Sequence, residues 1–295
     1  MPDIILVSDT ENGRLVKRLT SDLSYVSQFG SSGAGDDQFS QAQGIATDGI
    51  HIYVADTYNH RIVKRLSEDY SFVSKMGSEG TGNDNFSAPV DIVVSGDYLY
   101  VMDSNNRRIV KRAKADLSYV SEVSTNWEGY SPNPYYGTTD GTYLYTTEFN
   151  PNRITKRLLS DLSVISRGGD TYFTGYGTGV VFVSPNLYVA VSNDQIATFL
   201  ASDLSFISAF GSYGSGNDQF ISPYAITSDG TNLYVADKHK VTKRLVSDLS
   251  YVSRIGSVGS GDDEFSYPQG ICYVSSGGDP EPPPPVTRSF GSVVG

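Results

Sequence analysis

The sequence predicts an all-β fold, a six-bladed β-propeller of four-stranded antiparallel blades. Three observations carry that expectation. One phrase is spoken six times, with its acidic landmark at Asp22, Asp69, Asp116, Asp161, Asp203 and Asp248. It reads roughly L-Y-V-A-D, a polar hairpin, a basic segment ending in K-R-L, then S-D-L-S-Y-V-S. The intervals of 47, 47, 45, 42 and 45 residues fit four short strands with their turns, and nothing in a unit has the length of a long helix. The two chain ends, finally, are complementary fragments of one unit.

Within the second unit the expected strands are residues 43–47, 51–56, 61–66 and 71–76, each of the usual strand length and separated by Gly, Asn, Asp and Ser. The chain opens on Ile4-Ile5-Leu6-Val7-Ser8-Asp9, which matches a second strand with no first strand before it. Pro268-Gln269-Gly270-Ile271-Cys272-Tyr273 supplies the missing inner strand. The C-terminal inner strand is therefore expected to pair with the N-terminal three, closing the ring and removing exposed sheet edges. Residues 1–275 form the propeller, and residues 276–295 form a linker and tail.

Val54-Ala55-Asp56-Thr57-Tyr58-Asn59-His60-Arg61-Ile62, followed by Gly77, by Gly82-Asn83-Asp84-Asn85-Phe86 and by Pro89, resembles the NHL repeat. The match is close in the second and sixth units, good in the first and third, looser in the fourth and fifth, and spans residues 4 to about 275. The resemblance implies a platform that binds protein, nucleic acid or glycan, while related six-bladed propellers include lyases and lactonases.

A net charge of −11 and a pI of about 4.7 oppose binding to phosphate backbones and anionic membranes. No run of 18 apolar residues and no leader-like N-terminus is present, so neither a membrane span nor a signal peptide is expected. The single cysteine, Cys272, is read as a small buried residue of an inner strand. A Cys-poor chain suits the cytosol and equally a virus particle, and a virion or surface appendage fits the assembly role argued below.

Five units carry a Lys-Arg pair: Lys17-Arg18, Lys64-Arg65, Lys111-Arg112, Lys156-Arg157 and Lys243-Arg244. Against a negative net charge, they are read as side chains that cover neighbouring blades and pair with acids at the rim, rather than as a polyanion site. The second strand ends in Asp9, Asp56, Asp103, Glu148 and Asp237, and a base follows at Arg14, Arg61, Arg107 or Arg108, Arg153 and Lys240. In the fifth unit the acid becomes Val191 and the base becomes Gln195. Joint loss marks a structural pair, because a lone partner left behind would cost about 1–3 kcal/mol.

Only three histidines exist, His51, His60 and His239, which argues against a catalytic zinc. The four loops at residues 30–39, 77–86, 211–220 and 256–265 share G-S-x-G-x-G-[DN]-D-x-F. Their acids could hold calcium, but the spacing is not that of a calcium loop and a glycine path anchored by the Phe explains the pattern; no cofactor is expected. No nucleophile elbow, P-loop or dinucleotide fingerprint occurs in a supporting context. Asp91, without a basic or histidine partner, is a weak catalytic candidate.

Two neighbouring loops abandon the glycine formula. Residues 124–136 contain Trp127, Tyr130, Tyr135 and Tyr136, and residues 168–176 contain Tyr172, Phe173 and Tyr176. Both join an outer strand to the next inner strand, so they emerge on one face. Tyr135 and Tyr224, with Gln43 and Gln269, occupy matching positions near the channel mouth. Rigid aromatic area with polar tips suits a sugar ring or a peptide, and these eight aromatics are the candidate ligand-binding residues. Replacing the Phe anchor and packing the loops down explains them equally.

After Gly278 comes a polyproline spacer and then residues 286–295, whose Val286, Phe290, Val293 and Val294 are expected to dock on a partner chain or a second copy. The function expected is a non-enzymatic interaction or structural module of a larger assembly, tethered by this tail. A channel-mouth lyase or lactonase and a free glycan-binding lectin are the alternatives.

Overall fold

A computed structural model describes residues 2–127, 129–173 and 175–277. Among these residues are six four-stranded antiparallel sheets, each one blade. Blade 2 shows the pattern, with an inner strand Ala42–Thr47, a second His51–Asp56, a third Arg61–Leu66 and an outer strand Phe72–Met76. Blade 1 is built from both ends: Pro268–Val274 pairs with Ile4–Asp9, followed by Arg14–Leu19 and Tyr25–Phe29. The predicted closure is thus observed, with Ile5 opposite Tyr273 and Val7 opposite Ile271.

Burial follows the strand order. Second strands are buried almost throughout, because both faces lie against neighbouring blades, and their sequences run nearly continuously apolar. Outer strands alternate between half-buried and exposed residues, as S-Y-V-S patterning requires at a rim. The landmark aspartates sit in the turn between the third and outer strands. Each accepts a hydrogen bond from the backbone N–H two residues on, as Asp69 does from Ser71 at 2.9 Å, and the residue between them has φ near +60°. A register shift follows in every blade at the Lys-Arg position, or at Thr198/Phe199 in blade 5.

Adjacent positions on a strand face opposite sides, so each Lys-Arg pair reaches two different neighbours. Lys64 donates to the carbonyls of Lys114 and Ala115 in blade 3, and Lys111, Lys156 and Lys243 repeat the bond to the blade that follows theirs. In blades 1, 2, 3 and 6 the arginine turns to the loop that leads into its own blade: Arg65 donates to the carbonyls of Tyr70 and Asp36 and to the Asp37 carboxylate. Because those loop carboxylates are exposed, the ion pairs add little and the buried carbonyl bonds carry most of the clamp.

The acid and base at the hairpin extend it. Arg61 lies 2.7 Å from Asp56 and also donates to the carbonyls of Ala34, Gly35 and Gln38, while Asp56 accepts the N–H of Ser40. Arg14 with Asp9 and Arg108 with Asp103 are the same device, which assigns the third-unit base to Arg108 rather than Arg107. The first glycine of each loop has φ between 94 and 122°, and a Cβ on Gly77 would stand 2.8 Å from the Phe86 ring. Glycine there lets the fully buried Phe39, Phe86, Phe220 and Phe265 seat under the loop.

Candidate functional site

The inter-blade loops and the hairpins between second and third strands share one face, here the upper face. Where the inner strands begin, they meet almost backbone to backbone at a level occupied by Gly44, Asp91, Tyr136, Gly179, Ala225 and Gly270. A Cβ on Gly270 would lie 1.8 Å from the Gln43 carbonyl oxygen, and one on Gly44 would lie 2.2 Å from Asp91 Oδ1. Tyr136 crosses the channel here from blade 4, and its hydroxyl donates to the Gln269 carbonyl of blade 1 on the opposite side. The channel is therefore divided into an upper mouth and a lower cavity.

The upper mouth is lined by tyrosines from separate elements. Tyr135 and Tyr176 meet edge to face at 6.5 Å, Phe149 meets Tyr176 at 5.4 Å, and Tyr224 lies 6.4 Å from Tyr267. Burial, with the neighbouring phenols of Tyr176, Tyr224 and Tyr58, pushes the Tyr135 hydroxyl up to about 12. Burial first and then Tyr176 and Tyr267 raise Tyr224. Tyr58 is 63% exposed and Tyr176 37%, so the rings offer surface as well as packing. His239 stands 5.2 Å from Tyr267, with Lys238 over the same ring. The buried Oε1 atoms of Gln43 and Gln269 have no hydrogen-bond partner among the described residues.

Of the eight aromatics expected from sequence, Tyr135, Tyr176 and Tyr224 come together at this mouth. Tyr136 is the channel crossing. Phe173 is 8% exposed and packs on Phe199 at 5.4 Å, the work of the missing loop anchor. Tyr172 stacks on Phe206 of the outer strand at 4.2 Å. Trp127 and Tyr130 close a small hairpin through paired backbone bonds and stack at 5.8 Å, and Arg153 and Arg167 lie over the Trp127 ring. Sequence reasoning missed Tyr58, Phe149 and Tyr267. Tyr267 follows a readable signal, since it precedes an inner strand at a position where the other units place Gln41, Ala88 and Ser222, each with positive φ. Val286, Phe290, Val293 and Val294 lie outside the described residues.

His60 Nδ1 accepts the N–H of Ala88, and His51 lies 3.5 Å from Asp48, so these histidines serve turns in different places. No group of three His, Cys, Asp or Glu able to hold a metal occurs among the described residues. In the glycine loops, Asp37, Asp84, Asp218 and Asp263 are turned to arginines. Asp91 is buried at the level of Tyr136 and lines the cavity beneath the crossing. It accepts the Gly137 N–H at 2.9 Å, and burial raises its carboxyl to about 7.

Residues 39–64 match the NHL repeat family. The chain is a six-bladed β-propeller that carries an NHL-like repeat at those residues. No curated protein matches its sequence. Among solved structures, a chain of a nidogen/laminin complex is 16% identical and superposes with a TM-score of 0.68 over 93% of this propeller chain and 99% of that one. A functionally unknown protein from Desulfotomaculum acetoxidans DSM 771 is 13% identical, with a TM-score of 0.58 over 90% and 83%. The U3-55K structure is 13% identical, with a TM-score of 0.59 over 76% and 68%. At these identities the likeness is one of fold. NHL-type propellers are generally protein-interaction modules, and some are enzymes.

Proposed function

We propose that this propeller is a non-enzymatic interaction module of a larger assembly and that it grips a segment of a protein partner in its upper mouth. The observation that carries this reading is the convergence of Tyr58, Tyr135, Tyr176, Tyr224 and Tyr267 from five elements, with Tyr58 and Tyr176 exposed. Such rings give large contact area at low entropic cost, and their hydroxyls can hydrogen-bond a peptide backbone. The Tyr136 crossing makes the mouth shallow, which suits a loop or chain end rather than a threaded strand. Against an enzyme stands the placement of Asp91 in the lower cavity, beside that crossing and away from the mouth. In the same proposal the tail carrying Phe290 tethers the propeller to its assembly.

Affinity capture with the wild type and with a Tyr58→Ala/Tyr176→Ala/Tyr224→Ala variant, beside a glycan array probed with both, tests the mouth. A defined protein retained by the wild type and released by the variant is the expected result, since buried aromatic anchors contribute more than about 1 kcal/mol each. Glycan binding lost in the variant would replace the protein partner by a sugar. Light scattering on the full chain and on one ending at Gly278 tests the tether, and a monomer in both cases would remove homo-oligomerisation from the proposal.

A further inference from the structure

Below Tyr136 the channel opens into a cavity of 540 Å³ lined by the inner strands of all six blades. It runs from Asp91 to the first hairpin of blade 6, where Gly230 is exposed. We infer that this cavity is a second binding site, for a small organic cation whose apolar body fills the channel and whose ammonium group pairs with the Asp91 carboxylate. The proposed mouth plays no part in it, so either reading can fail without the other.

Volume, walls and charge point to that chemistry. Small-molecule sites commonly enclose about 300–1,000 Å³, with apolar walls and a few convergent polar groups. Here Val93, Val180, Phe182 and Ile271 provide apolar wall, while Asp91, Asp140 and Asp229 are the charged lining residues. No Lys, Arg or His is among the lining residues described. Asp140 and Asp229 are already engaged by turn N–H groups and by the hydroxyls of Tyr145 and Tyr234. Asp91 lines the cavity and receives backbone N–H groups and no cation among the described residues, and burial raises its carboxyl. A calcium ion is a poor occupant, since one carboxylate falls far short of its usual 6–8 oxygen ligands.

The test is titration calorimetry of the full chain with 2-phenylethylamine and its neutral counterpart 2-phenylethanol, at pH 5 and pH 8. The amine is expected to bind at least tenfold more tightly than the alcohol at pH 8, and the preference should shrink at pH 5 as Asp91 takes up a proton. Asp91→Asn should remove the preference. Ala46→Leu, which narrows the cavity and keeps the carboxyl, should weaken both compounds, and the triple tyrosine variant should change neither. Thermal melts establish that each variant is folded. Equal binding of amine and alcohol, no binding of either, or an amine preference that survives Asp91→Asn would overturn the inference, as would tighter binding of calcium than of the amine.

Discussion

The loop into blade 2 and the loop into blade 5 connect the same two strands and are held in opposite ways. The first spends its backbone carbonyls and an aspartate on Arg61 and Arg65, with Phe39 seated beneath. In blade 5 Gln195 and Phe199 stand where those arginines would be, and the loop rests on a run of contacting rings, Tyr172 on Phe206, Phe206 on Phe199, Phe199 on Phe173. The loop into blade 4 is intermediate, since Arg153 keeps Glu148 at 2.7 Å and lies over Trp127. Polar clamping thus fixes a loop whose side chains are small, and aromatic packing fixes one whose side chains then extend to Tyr176 and the mouth.

The largest effect should come from breaking a clamp. Arg61→Ala leaves Asp56 buried without its cation and frees three loop carbonyls, so a loss of about 3–5 kcal/mol is expected in urea unfolding. Asp56→Val/Arg61→Gln copies the fifth unit, Val191 and Gln195. It should lose clearly less than the two single losses combined, because no charge is stranded. Strict additivity would mean that acid and base do not act as one structural pair.

Asp91 is a break of another kind, an acid at a level where four other blades carry Gly or Ala and blade 4 carries Tyr136. Its carboxyl is raised from 3.8 to about 7 by burial, so well below pH 3.8 it is protonated in both the folded and the unfolded chain and costs nothing. As pH rises to 7 the unfolded chain ionises first and stability falls, by up to about 4 kcal/mol at roughly 1.4 kcal/mol per pH unit. Asp237, raised to about 6 chiefly by burial, acts in the same direction, whereas the turn aspartates such as Asp69, lowered by hydrogen bonds from Ser71, act in the opposite one. The difference between wild type and Asp91→Asn isolates the effect. Equal pH profiles for the two would refute it.

The repeat made six blades, their closure and the joint fate of Asp56 and Arg61 legible, because each is a periodic property that six copies state independently. What the sequence left open was the direction in which single side chains point. Tyr135 and Tyr136 are neighbours of one residue type, yet the first borders the mouth and the second crosses the channel to Gln269. Alternation along the strand separates them, but only the ring geometry tells which neighbour meets the opposite blade. Phe149 and Tyr58 escaped notice because they sit in hairpins that otherwise obey the repeat.

Trp127→Ala tests the intermediate loop. Its ring is half-buried beneath Arg153 at 5.2 Å and Arg167 at 4.4 Å, a contact worth about 0.5–2 kcal/mol beyond packing. A loss smaller than that of Arg61→Ala, near 2 kcal/mol in the same unfolding assay, would place Trp127 among the scaffold aromatics. No loss at all would return it to the ligand-binding set.

The smallest stability effect is expected where the comparison matters most. Tyr58 and Tyr176 should each tolerate Ala at a cost within about 0.5–1 kcal/mol, because much of each ring is exposed and no protein hydrogen bond is made by either hydroxyl among the described residues. Phe173→Ala, three residues before Tyr176 in the sequence, removes a buried anchor and should cost about 3–5 kcal/mol. A wide gap between these values separates side chains retained for contact from those retained for folding. If Tyr176→Ala instead approached Phe173→Ala in unfolding, the mouth tyrosines would be a packed lid over the Tyr136 crossing rather than a surface held open for a partner.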